Sequence, residues 1–308
     1  MLFLDAWQPS RGLLNTSFVL SILALSGLGI APPACAQTLP VTMRATAPPR
    51  VPSQSQLDSG FREMYSLNFD RARGDFTAYE TAHPDDPVGQ AAQAASYLYE
   101  EFHRKGVFTS SFFLDDKKFL HGIPDRPDKP LCDKFLELDG RAQTSARQVL
   151  KSNPHDANAL LALTLADGMM ADFDEIIAKK QFASLHDMRD AEADAARLLS
   201  VAPGDEDAYV AIGAANYVLG SLPAYKRAFL WLGDIHGDRV RGMNQLKEAA
   251  LHGHYLKPLA EILLALASLR EHHPAEARNL LLQLSHDFPQ NPVFSNELAT
   301  AEKMAAVN

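Results

Sequence analysis

The clearest pattern along the chain is a recurring arrangement of small, apolar and polar positions around four prolines, Pro84, Pro154, Pro203 and Pro289. An alanine lies twelve residues before each proline, at Ala72, Ala142, Ala191 and Ala277. An apolar side chain lies eight residues before each, at Phe76, Ala146, Ala195 and Leu281. Asp or Asn lies two residues after each, at Asp86, Asp156, Asp205 and Asn291. Chance would place the alanine and the Asp or Asn in this way at only about 0.3 of the 19 prolines.

This spacing predicts helices that end at each proline and are followed by another helix. Residues four apart lie on one face of an α-helix, and an alanine on that face lets a second helix cross closely. Proline lacks an N–H and clashes with the preceding turn, so it ends the helix. Asp or Asn just beyond it can cap the next helix. Alanine is abundant and β-branched residues are sparse after residue 60, which also favours helix over strand.

The pattern resembles the second helix of a tetratricopeptide (TPR) unit, with its alanine, its large residue four positions later and its closing proline. The last unit shows it most fully, with a first helix predicted over 256–269 and a second over 274–287. The marker prolines are 70, 49 and 86 residues apart, so the units are separated by insertions. The resemblance implies an all-α fold, namely a TPR-like α-solenoid of stacked antiparallel helix pairs with long inter-unit insertions. The chain is also similar to bacterial envelope TPR proteins that carry such insertions.

Two segments interrupt the array. Residues 105–130 hold four Phe, three Pro and two Gly, and they predict a long ordered loop. Residues 220–237 are strongly apolar around Trp231, with Lys226 and Arg227 side by side. This second segment predicts either a contact surface for a partner or a membrane, or an extra helix packed across the solenoid.

The amino terminus predicts an export signal. Residues 13–30 are mostly apolar and uncharged, and Arg11 precedes them. Ala34 and Ala36 flank Cys35 in the pattern of a signal-peptidase site, so cleavage is expected after Ala36. Two alternatives stay open: the stretch is just long enough to remain as a membrane anchor, and Cys35 could carry a lipid.

These features divide the chain into three regions. Residues 1–36 are the predicted signal peptide, and residues 37–57 are a flexible linker rich in Pro, Ser and Thr. Residues 58–308 are the predicted TPR-like helical repeat domain.

Composition narrows the class of partner. Acidic residues outnumber basic residues, 38 to 29, and the formal net charge is -9. Because an acidic chain repels phosphate backbones, nucleic acid is not an expected partner. After cleavage Cys132 would be the single remaining thiol. It is expected to be a partly buried apolar residue, the alternatives being a reactive thiol or an intermolecular bridge.

The chemistry-bearing residues form no recognisable catalytic pattern. The chain has no GxSxG, P-loop, GxGxxG or HExxH motif, so we expect neither enzymatic activity nor a cofactor. His252 and His254 flank Gly253 in a predicted turn. A metal there would need further ligands, with His236 and Asp238 the nearest in sequence, and solvated turn histidines are the simpler interpretation.

The resemblance therefore implies a non-catalytic scaffold for protein–protein interaction in the periplasm or cell envelope. Solenoids of this type bind a peptide or a helix in a concave groove. The expected contact residues are Asn216, Tyr217, Arg227, Trp231 and Tyr255. One alternative is a membrane-anchored envelope assembly factor, and another is a metal-dependent enzyme that uses the His252/His254 turn. The partner is expected to be a protein or peptide, with peripheral membrane contact as a further option, and the pattern fixes no oligomeric state.

Overall fold

The computed structural model describes residues 54–121, 126–224, 227 and 236–307. These residues belong to one compact unit, Arg50–Asn308. The predicted signal peptide and most of the linker lie outside the described residues. Every regular element in the described ranges is a helix, so the predicted all-α class is confirmed.

The described helices form pairs in chain order. They are α1 Gln54–Tyr65 with α2 Phe69–Ala82, α3 Val88–Lys105 with α6 Lys129–Ser152, α7 Ala157–Asp172 with α8 Gln181–Val201, α9 Ala208–Ser221 with α10 Arg239–His252, and α11 Lys257–Arg270 with α12 Pro274–Asp287. Helix α13, Pro292–Val307, follows the last pair. Two short helices, α4 Ser110–Phe113 and α5 Asp116–His121, lie between α3 and α6, and a π-helical turn, Phe173–Ile177, follows α7. The first helix thus begins four residues before the predicted start of the domain at residue 58.

The pairs stack in the order in which they occur in the chain. Each long helix packs against the next long helix, and the first helices of neighbouring pairs also meet. Most connections are short, which makes neighbouring helices antiparallel. The TPR-like arrangement implied by the resemblance is confirmed.

The marker positions have the packing role that their spacing predicts. All four alanines and the four apolar residues that follow them are buried. In the first pair, Phe76 lies against Gly60 of α1, where an added Cβ would be only 2.3 Å from Cε1 of the ring. The two helices therefore cross at the closest distance that their side chains allow.

Three of the four residues after the marker prolines bind the start of the next helix. Asp156 Oδ1 accepts a hydrogen bond from the Ala159 N–H at 3.0 Å, as a helix N-cap does. Asp86 and Asn291 accept from backbone N–H groups two residues later, also at 3.0 Å. Helix α9 is different, because its N-cap is Asp207 rather than Asp205.

The pair α9–α10 lacks a marker proline and was not predicted as a unit. Gly242 and the buried Leu246 occupy the positions that alanine and an apolar residue occupy elsewhere. An added Cβ at Gly213 of α9 would lie 3.0 Å from the carbonyl oxygen of Gly242. Glycines on both helices therefore give this pair a close crossing.

Three of the first helices, α7, α9 and α11, are enclosed by protein along most of their length. Helix α7 buries eleven of its 16 residues, and α9 and α11 each bury nine of 14. A helix that is apolar all round is a core helix, whereas a helix that lines an open groove keeps one face in solvent. These three helices therefore contribute mainly to the packed core of the described residues, and the concave groove stays a prediction.

Residues from the two ends of the array meet within this unit. The Tyr65 hydroxyl donates to the Tyr255 carbonyl oxygen at 3.2 Å, and the Asn291 side-chain amide donates to the Tyr65 carbonyl oxygen at 2.9 Å. The Phe61 and Tyr255 rings stack with centroids 5.0 Å apart. These contacts close the array between its first helix and its last two pairs.

The segment predicted as a long loop contains α4 and α5 and is held by contacts at two places. The buried Ser110 N–H donates to Glu297 Oε2 of α13 at 3.0 Å. Arg270 of α11 donates to the Phe113 carbonyl oxygen and to Asp116, and its guanidinium lies over the Phe119 ring. The insertion is thus tied to the carboxyl-terminal helices.

Candidate functional site

A cavity of about 40 Å³ lies where the two ends of the array meet. Its walls come from the α1–α2 turn, the end of α3, the residues before α4, and the helices α11 and α13. The wall residues used below are Tyr65, Leu67, Tyr99, His103, Thr109 and Val293. A volume of this size holds about two or three water molecules, or the end of one small side chain.

Two left-handed backbone positions shape the cavity. Leu67 has φ 66° after the end of α1, and Gly106 has φ 65° after the end of α3. The Leu67 conformation is unfavourable for a residue with a Cβ, by about 1–3 kcal/mol. It is held by the Leu67 N–H, which donates to the Met64 carbonyl oxygen at 3.0 Å, and by the Asn68 N–H, which donates to Glu63 at 2.8 Å. These two bonds are the pattern of a helix C-cap, so the same turn that ends α1 also forms part of the cavity wall.

The polar groups of the cavity wall are neutral near pH 7. Burial raises the pKa of Tyr65 and of Tyr99 well above the usual tyrosine range. Burial lowers the pKa of His103 below its usual value, which favours the uncharged imidazole. The cavity therefore suits an uncharged, apolar group rather than an ion.

Carboxylates with raised pKa values lie in the first helices nearby. Asp172 at the end of α7 is exposed, yet surrounding protein desolvates it and raises its pKa to about 7. Its charge in turn raises the pKa of Tyr99. Glu261 of α11 is buried and accepts from Gln283 at 3.1 Å, and desolvation raises its pKa to about 7. Of the two, only Glu261 lies in the interior, and its raised pKa favours a neutral interior at pH values below 7.

The residues predicted to contact a partner lie in different environments. Asn216 is buried and bonded to the Ile212 carbonyl oxygen and to Gln245. Tyr217 is buried and its hydroxyl donates to Glu271 at 3.3 Å. Tyr255 stacks on Phe61 and His254. The remaining two are Arg227, which is exposed, and Trp231, which lies outside the described residues. The structure thus brings Tyr255 close to the end-to-end contact but places Asn216 and Tyr217 in helix packing.

The histidine turn has hydrogen-bonding roles in the structure. His254 Nε2 lies 2.7 Å from Asp58 Oδ1, and the Asp238 carboxylate caps α10 by accepting from Val240 and Arg241 N–H groups. Among the residues that the structure describes, no group of three or more His, Cys, Asp or Glu side chains is arranged to hold a metal ion.

Cys132 is buried on α6, as its simpler interpretation predicted. Desolvation raises the pKa of its thiol to about 11, so the thiolate is scarce near pH 7. Since the thiolate is the reactive form, burial protects this cysteine.

Sequence reasoning missed the cavity. Gly106 and Asn291 carried weak local signals, because glycine favours a left-handed helix end and Asn a helix cap. Leu67 and His103 gave none. Neighbours in the cavity such as Tyr65 and Asn291 are separated by 226 residues, so no local pattern could place them together.

Stacked helix pairs, buried alanine positions and closing prolines define the described part of the chain as a TPR-like α-solenoid. Among solved structures, it is similar to the crystal structure of TTC0263, a thermophilic TPR protein from Thermus thermophilus. That similarity has a TM-score of 0.44 and 16% sequence identity, and it covers 81% of this chain and 98% of that chain. No family model and no curated protein matches the chain. In the described helices, none is both long and apolar enough to cross a bilayer, and residues 13–30 lie outside that part.

Proposed function

We propose that the protein is a non-catalytic scaffold that binds another protein, and that it takes an uncharged apolar side chain of that partner into the end-to-end cavity. The observation that carries this proposal is a neutral, apolar cavity bounded by two left-handed backbone positions. The cavity, rather than a long groove, is the proposed docking point because α7, α9 and α11 bury most of their residues. Burying about two methyl or methylene groups at the end of a small side chain, at about 0.8 kcal/mol each, gives about 1.6 kcal/mol, which is a little over tenfold in affinity.

A cavity-filling variant tests this proposal. Val293 lies in the cavity wall and is partly exposed, so Val293→Trp is expected to fill the opening without entering the helix core. The control is Val240→Trp, the same change at a residue of α10 that is 70% exposed and outside the cavity.

The assay is selection from a displayed random-peptide library against the immobilised protein. Peptides bound by the wild type are expected to share one uncharged apolar residue and to bind Val293→Trp at least about tenfold more weakly. Val240→Trp should bind them like the wild type. Equal binding by Val293→Trp, with unchanged helix content, would show that the cavity is not the docking point.

The Trp231 segment supplies a second proposed contact surface. Arg227 is exposed and precedes the apolar stretch of this segment. Trp231→Ala, measured on the same peptides, should weaken binding while the circular dichroism spectrum is kept. A variant that loses its helix content would instead assign Trp231 to packing.

The proposed location is the periplasm or cell envelope, reached after cleavage behind Ala36. The uncharged apolar stretch at 13–30 and the small residues around Cys35 support this location. If the stretch is retained, the protein is a membrane-anchored assembly factor whose linker holds the folded unit away from the bilayer.

A further inference from the structure

Two aspartate side chains are buried on the neighbouring helices α6 and α7, in the middle of the array. Asp139 of α6 is 1% exposed and Asp167 of α7 is 3% exposed. One hydrogen-bonded network joins the two carboxyls, since Gln143 donates to Asp139, and Arg147 donates both to Gln143 Oε1, at 2.9 Å, and to Asp167. Asp167 is also the charge that most strongly disfavours ionisation of Asp139. We call these two residues the Asp139–Asp167 pair.

The pair has too few hydrogen-bond donors for two carboxylates. Asp139 Oδ2 accepts from Gln143 Nε2 at 2.9 Å, while its buried Oδ1 has no partner in the described residues. Asp167 Oδ1 receives one bond from Arg147, at 3.3 Å, and that guanidinium is half-exposed. The hydroxyl of Thr164, one turn before Asp167 on α7, is also buried without a partner among these residues. A protonated carboxyl supplies the donor that is missing, because it gains an O–H.

The groups that face the pair from α8 increase the excess of negative charge. They are Asp187, Asp190 and Asp194. Asp194 is paired with Arg197 at 2.6 Å, and Asp190 lies 3.5 Å from His186. On the other side of α6, the contact with α3 is a neutral hydrogen bond from Ser145 to Gln90.

Desolvation is the main cause of the shifted titration in this cluster. It raises the pKa of Asp139 to about 8 and that of Asp167 to about 7. It also raises the pKa values of Asp187 and Asp194, which are nearer the surface.

We infer that the Asp139–Asp167 pair is a proton-operated switch that holds α6 against α7 and α8 while it is protonated and loosens this contact when both carboxyls ionise. In the protonated state the O–H fills the missing donor position. In the ionised state two negative charges remain buried between adjacent helices, with Arg147 as the cation that they share. This device acts at the contact between the second and third helix pairs, away from the end-to-end cavity.

The sign of the pH dependence follows from proton binding. In the unfolded chain both carboxyls lose their protons near pH 4, whereas in the folded state they keep them to about pH 7–8. The folded state therefore binds more protons than the unfolded state between about pH 4 and pH 8. Stability contributed by the pair is full below about pH 4, falls as the pH rises, and levels off above about pH 8.

The test compares thermal unfolding of the full folded protein at about pH 6 and about pH 8.5. Asp139→Asn keeps the shape and a donor but cannot ionise, so its fall in melting temperature should be smaller than that of the wild type by about a third, since Asp167, Asp172 and Glu261 still titrate in the variant. The control is Asp133→Asn on the same helix, where the carboxyl is exposed and paired with Lys129. Asp133→Asn should show the wild-type fall. Asp172 and Glu261 titrate in the same range but are present in both variants, so the difference between the two variants reports the contribution of the pair.

A second measurement applies to the unmodified protein and does not depend on the variant folding. The side-chain carboxyl carbon of Asp139, followed by NMR, should titrate with a midpoint above about pH 6.5. Amide exchange in α6, α7 and α8, corrected for the intrinsic rate, should be at least about threefold faster at pH 8.5 than at pH 6. A midpoint below about pH 5, or an Asp139→Asn variant with the wild-type fall, would overturn the inference.

Discussion

The close crossing of α9 and α10 allows a prediction in which one substitution reverses its usual sign. At Gly242 an added Cβ would lie 2.5 Å from the Tyr217 backbone nitrogen and 2.7 Å from the Gly213 carbonyl oxygen. Ala normally stabilises an exposed helix by about 1 kcal/mol over Gly. Overpacking costs about 1–3 kcal/mol, and the upper end applies because the opposing atoms are backbone atoms that cannot rotate away. We therefore expect Gly242→Ala to destabilise the protein by about 2 kcal/mol.

The matched control is Gly140→Ala in α6, where an added Cβ has nothing within 4 Å. This change should stabilise by up to about 1 kcal/mol. For a domain of this size 1 kcal/mol corresponds to about 2–4 °C, so Gly242→Ala should melt about 4–8 °C below the wild type and Gly140→Ala about 2–4 °C above it. Thermal unfolding followed by circular dichroism measures both shifts. If Gly242→Ala melts at or above the wild-type temperature, the two helices do not cross as closely as the structure places them.

Two further predictions concern the buried carboxylate of Asp207 and the cleavage of the predicted signal peptide. Asp207 accepts from the His254, Tyr255 and Leu256 N–H groups at 2.7–3.1 Å, so Asp207→Asn should lose about 1–3 kcal/mol in urea unfolding. The same change at the exposed cap Asp238 should alter the free energy of unfolding by only about a few tenths of a kcal/mol, because Asn caps helices about as well as Asp. Equal effects at both sites would refute a stabilising role for the buried Asp207 carboxylate. For export, the mass of the protein isolated from its native envelope should correspond to a chain beginning at Gln37, whereas a full-length mass would favour the anchored form.

The repeat could be predicted from the sequence because its determinants are local. A helix-ending proline, a cap two residues later and a small residue at the crossing all lie within one helix and its following turn. The first helix of the last pair was predicted over 256–269 and is Lys257–Arg270, a shift of one residue. The second helix, Pro274–Asp287, begins and ends at the predicted residues. The unit therefore follows from steric and hydrogen-bonding rules that act over fewer than twenty residues.

The pair α9–α10 was missed because three of its determinants are replaced by other residues. Glycine replaces the marker alanine, so the crossing is closer but the alanine signal is lost. At the turn after α10, the marker proline and its following Asp or Asn are replaced by His254 and Leu256. The carboxylate that binds the start of α11 comes instead from Asp207, at the start of α9. A long-range contact has taken over a local capping role, and a search for local spacing cannot find it.

The candidate site was beyond sequence reasoning for a related physical reason. Each wall of the cavity is an ordinary helix end, and only the contact between α1 and the last pairs brings these ends together. That contact also accounts for the position of Tyr255, whose ring stacks within the closed array. In an open solenoid the first helices would offer one face to a partner, whereas here their apolar faces satisfy one another. The proposed binding therefore depends on the opening that this contact leaves between apolar walls at the junction of the two ends, within the described residues.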